Sequence, residues 1–191
     1  MKIIHIFGPE EGPEEGEGLW TVEYEGESLN AFEQLLSLWQ DPEYVYAFCL
    51  ENLPDLQRKF GYAIDPETAA NALMDEAVEL LGLLVRLAKR RSISGILQYV
   101  FKPLNNFETN ITVLQLSKAS SKTKTQNNPK LRVYAVRIGQ NTYVVTGGAI
   151  KLTDRMEDRP HTVRQLQRLK MVRDWLNREG IFYPGDLTDL P

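Results

Sequence analysis

The stretch Leu131–Leu152, LRVYAVRIGQNTYVVTGGAIKL, constrains the fold of this chain more than any other. Two runs, Leu131–Ile138 and Thr142–Ala149, are rich in Val, Ile, Tyr and Thr, side chains that suit a pleated surface. Between them stands Gly139-Gln140-Asn141, where Gly and Asn tolerate the positive φ of a turn. The pattern predicts a β-hairpin. Arg132, Arg137 and Lys151 lie on it and Arg155 lies just beyond, so what these cations do decides what the protein does. Alternation along a strand puts Arg132 and Tyr134 on one face, Val133 and Ala135 on the other.

The 191 residues suffice for one well-cored domain. Within it we expect N-terminal strands with an acidic loop over 1–27, a helical part over 28–101, and a sheet with a terminal helix over 111–178. Met1–Phe7 and Leu19–Tyr24 read as strands that pair across Gly8–Gly18, GPEEGPEEGEG, whose Pro, Gly and mutually repelling glutamates predict a mobile tip. Ser28 or Asn30 caps a helix that carries Phe32, Leu35, Leu36 and Trp39 at helical spacing. Pro42 suits the first turn of the next helix, and Pro54 opens a short helix or turn. Asp65 caps the longest helix, Pro66 to about Arg91, with Leu73, Ala77, Leu80, Leu81, Leu84, Val85 and Ala88 on its core face. A short helix over Ser92–Phe101 and a strand over Ile111–Leu116 follow. Ser117–Lys130 has a composition that predicts an exposed connection. After the hairpin, Val163, Leu166, Leu169, Val172 and Leu176 mark a helix over Thr162–Arg178, ended by Gly180. The fold class expected is α+β, a mainly antiparallel sheet with helices packed on one side.

Composition narrows the function classes. One cysteine, Cys49 in the apolar run YVYAFCL, excludes an internal disulfide and a Cys-rich zinc site, and reads as a buried thiol. The N-terminus has neither a signal-peptide pattern nor a membrane-length apolar run, so a cytoplasmic protein with no membrane partner is expected. The net charge of −4 conceals segregation. Residues 1–60 hold thirteen acids and three bases, whereas residues 86–178 hold nineteen bases and five acids. Such asymmetry suits a polyanion-binding half, an acidic segment that partly neutralises it, or ordinary solvated faces that happen to cluster. The run Lys89-Arg90-Arg91 also fits a helix C-terminus, where cations complement the dipole.

The motifs are sparse. Gly147-Gly148-Ala149-Ile150-Lys151-Leu152-Thr153 lacks the spacing of a phosphate loop. The paired glycines instead predict a close approach to the strand or a bulge. His5 and His161 have no metal-ligand pattern around them, and neither a metal nor a cofactor is expected. What remains is basic, hydroxyl-rich chemistry on a sheet. Arg132, Tyr134 and Lys151, with Lys118, Lys122, Lys124 and Lys130 of the polar connection and Arg155, could hold phosphates and stack a base. RNA cleavage requires a base for the 2′-hydroxyl, a cation for the phosphorane and an acid for the leaving 5′-oxygen.

At this point the sequence resembles the RelE/HigB superfamily of ribosome-associated toxins from type II toxin–antitoxin systems. The resemblance covers roughly residues 95–178 and is carried by LRVYAVRIGQNTYVVTGGAIKLTDRM. In that family an Arg-x-x-Tyr strand, a turn, an apolar strand and a Gly/Lys/Arg end follow one another. Arg132 and Tyr134 fall near the first, two apart rather than three, and Lys151 and Arg155 fall near the last. This chain is longer and more acidic than such toxins. The resemblance implies mRNA cleavage on the ribosome and a cognate antitoxin of helix-turn-helix type. Arg132 and Lys151 would then be phosphate-binding and transition-state cations, assisted by Tyr134 or His161. Lys118, Lys122 and Lys124 would contact RNA or ribosome. The alternative is a non-catalytic α+β binding module that engages a protein partner. A nuclease would hold Arg132 and Lys151 exposed and convergent near the lysine-rich connection. A binding module would pair them with acids from residues 1–60.

Overall fold

The computed structural model describes residues 1–8, 16–89, 97–105, 112–121 and 129–190. Strands β1 (Lys2–Phe7) and β2 (Gly18–Glu23) pair antiparallel at the start of the chain. The acidic loop expected to be mobile lies mostly outside the described residues. Helices α1 (Ala31–Trp39), α2 (Pro42–Glu51), α3 (Leu53–Phe60), α4 (Pro66–Ala88) and α5 (Leu97–Val100) follow. A two-residue strand β3 (Lys102–Pro103) leads to β4 (Gln115–Ala119), β5 (Leu131–Arg137) and β6 (Thr142–Ile150), and helix α6 (Pro160–Arg178) closes the sequence of main elements.

Helix starts are where the side chains place them. Asn30 accepts from the backbone N–H groups of Phe32 and Glu33 while Glu33 reaches back to the N–H of Asn30, a reciprocal capping box. Asp41 and Asp65 cap α2 and α4, each followed by proline, whose missing N–H costs nothing in a first turn.

The sheet has the order β1-β2-β6-β5-β4-β3, and β2 and β6 run parallel while the other neighbours are antiparallel. The chain's first strands and its last therefore share one sheet. The predicted hairpin is its centre, and every residue of β6 is buried. Such a strand is covered on both faces. On one face Leu131, Val133, Ala135, Tyr143 and Val145 pack with the apolar stripes of α1 and α4. On the other, Tyr134, Val136, Val144 and Ala149 pack with Leu169, Val172 and Leu176 of α6. Helices expected on one side thus lie on both. The reason is that β5 and β6 alternate two apolar sets rather than an apolar and a polar one.

Gly147 and Gly148 make this double cover possible. The register steps from Tyr134–Gly147 to Ala135–Val145, which leaves Thr146 as the extra residue of a bulge. A Cβ on Gly148 would lie 2.8 Å from Trp39 Cη2 of α1, and one on Gly147 would lie 2.3 Å from Gln165 Oε1 of α6. Close approach and bulge, given as alternatives by the sequence, both occur.

The polar connection departs from expectation. The strand placed at Ile111–Leu116 begins only at Gln115, after a turn in which Leu114 takes φ 55° and donates its N–H to Arg137 O. Ile111 itself is outside the described residues. Ser117, Ala119 and Ser121 are buried rather than exposed. They are small enough for the helical layer to lie against β4, and Ser117 Oγ satisfies itself on Gln115 O at 3.2 Å. The tail also packs, since Ile181 and Leu187 join the α6 core. Cys49 is buried, which pushes its thiol up to about 11.

Gly148→Ala is expected to destabilise the fold by about 1–3 kcal/mol through forced displacement of Trp39 and Leu35. Gly185→Ala, which would meet nothing within 4 Å, is expected to stay within about 0.5 kcal/mol of wild type. Urea unfolding of both proteins checks the contrast.

Candidate nucleic-acid interface

The α6-bearing face of the sheet runs beyond α6 towards the β3 edge, and there it forms an open cleft of about 1380 Å³. The floor follows from strand register. Lys102 stands opposite Lys118, Lys118 opposite Tyr134, and Tyr134 opposite Gly147. Directly opposed residues share a face, so these positions form one transverse row at a spacing of about 4.8 Å per strand. Arg132 lies one alternation along β5 from Tyr134, and Lys151 continues the same face beyond Ala149. Arg155 and Arg173 complete six cations around the cleft, against the two carboxylates of Asp154 and Glu157.

The cations are held rather than loose. Arg132 Nη1 donates to Pro129 O at 2.8 Å and Leu131 O at 2.7 Å. Lys151 Nζ donates to Thr153 O at 2.7 Å and to Asp154 O. Lys118 Nζ donates to Leu104 O at 2.8 Å. Burial, followed by repulsion from Arg132 and Lys151, lowers Lys118 below the ordinary lysine range. Lys151 is lowered by burial first, then by Arg132 and Lys59, with Asp154 and Asp158 opposing. These mutual effects place Lys118, Arg132 and Lys151 within electrostatic reach of one another.

Tyr134 is 1% exposed and lines the cleft, and among the described residues its buried hydroxyl has no hydrogen-bond partner. Burial raises its pKa, and only the positive charge of Arg132 acts against that. At neutral pH the phenol is therefore a proton donor without an acceptor among the described residues, a state that costs free energy.

The remaining residues anticipated from sequence are placed as follows. Lys130 turns away from the cleft, with Nζ 4.0 Å from the centre of the Phe60 ring. The reason is that Glu76 of α4 draws the backbone at Lys130 and Leu131 towards the opposite face. Lys122 and Lys124 lie outside the described residues. His161 does not border the cleft; its Nε2 lies 2.9 Å from Ile150 O and its ring meets Phe48 edge-on. Arg137 is buried and bonds Thr112 O at 3.4 Å.

Two acids of residues 1–60 pair with cations at the start of α6 and within it. Glu27 pairs with Arg168, whose guanidinium also lies 4.4 Å from the Tyr24 ring centre. Asp55, itself buried, holds Arg159 through two bonds of 2.7 and 2.8 Å. Arg132 and Lys151 border the same cleft and are half-buried.

Glu76 was legible only as one more acid in the first half of a helix. It is 1% exposed, and its two oxygens accept the N–H groups of Lys130 at 3.0 Å and Leu131 at 2.8 Å. It fixes the start of β5 and thereby the position of Arg132. Its place among the leucines of the core face was the available signal, since a carboxylate there must have partners.

Among the described residues no helix is long and apolar enough to cross a membrane, and no group of His, Cys, Asp or Glu side chains converges as metal ligands would. No protein-family model, curated protein or solved structure matches the chain.

Burial raises Glu76, while the two N–H bonds and the charges of Arg132 and Lys130 act against it. The native state then holds this proton more tightly than the unfolded chain does. Its contribution makes stability fall as pH rises from the unfolded value of about 4.3 to the folded one, and then level off. Glu76→Gln places an amide N–H₂ against a backbone N–H. The expected loss at pH 7 is about 1–3 kcal/mol, and the pH dependence should flatten above pH 4. Urea titrations from pH 4 to 8 check both.

Proposed function

We propose that this chain is a toxin-like RNA-binding protein that cleaves mRNA on the ribosome without a metal and is held in check by a cognate antitoxin of helix-turn-helix type. The observation that carries the reading is the convergence of Lys118, Arg132 and Lys151 on one cleft that Tyr134 also lines. The order of a strand, helices, a β4-β5-β6 meander and a terminal helix supports the resemblance to RelE/HigB toxins.

In this reading the Arg132 guanidinium stays charged and offsets the negative charge that grows on the phosphorane. Lys151, which burial lowers below the ordinary lysine range, is in this reading the group that accepts the 2′-hydroxyl proton. Tyr134 stays protonated beneath the cleft, so in this reading its buried hydroxyl reaches the leaving 5′-oxygen only after a local rearrangement. Lys118 and Arg155 hold neighbouring phosphates. One observation favours a non-catalytic binding module: the Arg132 and Lys151 side chains already bond to carbonyls of their own loops. In that case their substitution would leave mRNA intact.

Induced expression in a bacterial host should arrest growth with mRNA cleavage, and Arg132→Ala/Lys151→Ala at matched protein level should abolish both. Intact mRNA beside well-expressed wild-type protein would sink the nuclease reading.

For the purified protein, Lys118 and Lys151 lose their charge at lower pH than a free lysine does, and a bound polyphosphate favours the charged forms. Affinity for inorganic polyphosphate should therefore fall as pH rises, starting below the ordinary lysine range of about 10.4. Titration between pH 6 and 10 at constant salt checks the sign.

A further inference from the structure

We infer that the cleft contains a base-stacking subsite at Tyr99, so that it takes unpaired nucleotides and discriminates against duplex; this rests on the RNA-binding reading above. The cleft is chemically two-ended. Leu83, Tyr99 and Val100 form an apolar end where α4 and α5 meet the β3 edge, while the floor beyond Lys102 is cationic. Tyr99 is 69% exposed, whereas its helix neighbour Leu97 is fully buried. Tyr62 and Tyr183 are similarly exposed, but of these three tyrosines Tyr99 is the one that borders the cleft.

Lys102 follows Tyr99 by three residues and begins the row that continues through Lys118 to Tyr134, about 9.6 Å across three strands. An extended single strand presents just such a pairing, a flat apolar base on one side of a regularly charged backbone. A duplex hides its base faces by stacking and pairing, so its contact with Tyr99 is lost while its phosphates remain. The ring therefore supplies what the cations cannot, a preference for unpaired over paired RNA.

The test uses the full chain and a labelled 2′-O-methyl oligoadenylate of twelve nucleotides, which binds but offers no 2′-hydroxyl to cleave. Fluorescence anisotropy compares it with the corresponding duplex and with inorganic polyphosphate. Stacking on one aromatic ring predicts that Tyr99→Ala weakens oligoadenylate binding by about fivefold to a hundredfold, with polyphosphate unchanged and Tyr99→Trp close to wild type. Lys118→Ala should weaken both ligands. Equal affinity for single strand and duplex, or a Tyr99→Ala protein within twofold of wild type, would overturn the subsite and leave the RNA-binding reading standing. Tyr99-dependent binding without mRNA cleavage in cells would keep the subsite and remove the nuclease. Failure of wild-type protein to bind any of the three ligands would remove both. Unfolding curves of Tyr99→Ala should match wild type, since the side chain is exposed.

Discussion

The structure depends on one strand being covered from both sides. β6 lies between β2 and β5 and has no exposed residue. Its two glycines let α1 approach one face and α6 the other at nearly the same point. Burial of this kind is the main favourable term in folding, and it requires close packing on each side. The turn that precedes β6 extends the same anchoring. Asn141 O accepts the N–H of Gly18 at 3.1 Å, and Asn141 Oδ1 accepts the N–H of Leu97 at 3.1 Å. One residue thereby ties the starts of β2 and α5 to the hairpin tip.

The charge segregation is also resolved by three-dimensional packing. Glu27 and Asp55 meet Arg168 and Arg159, so the acidic half neutralises the terminal helix. Exposed ion pairs contribute little, but Asp55 is buried and without Arg159 would keep only the longer contact with Arg58 at 3.4 Å. Arg132 and Lys151 instead line the cleft, with backbone carbonyls among their local partners. That division keeps positive potential where a phosphate chain could lie, while the protein as a whole is acidic.

Particular residues show how far sequence reading reached. Asn30, Asp41 and Asp65 announced their helices because capping is local: a side-chain oxygen and the N–H groups it serves are two or three residues apart. The placing of Arg132 and Tyr134 on one face followed from alternation alone. Ser117 to Ser121 misled because polar composition correlates with exposure without dictating it, and small residues can be buried once their hydroxyls are bonded. Glu76 could be singled out by its place on the core face, but its partners could not, because they are backbone groups more than fifty residues away. Lys102 and Tyr99 belonged to no motif, since β3 is two residues long and acquires meaning only by pairing with β4.

The sequence by itself determined the elements: the central hairpin, its bulge-prone glycines, the capped helices and the two alternating sets of side chains. These are set by φ/ψ preferences and by periods of 2 and 3.6, which act over a few residues. Only the tertiary structure decided that α6 crosses to the far face, which cations are paired and which converge, and that an exposed aromatic borders the cationic row. Each of those depends on strand order and register between segments far apart in the chain, and register is fixed by the burial of whole faces rather than by any local residue pattern.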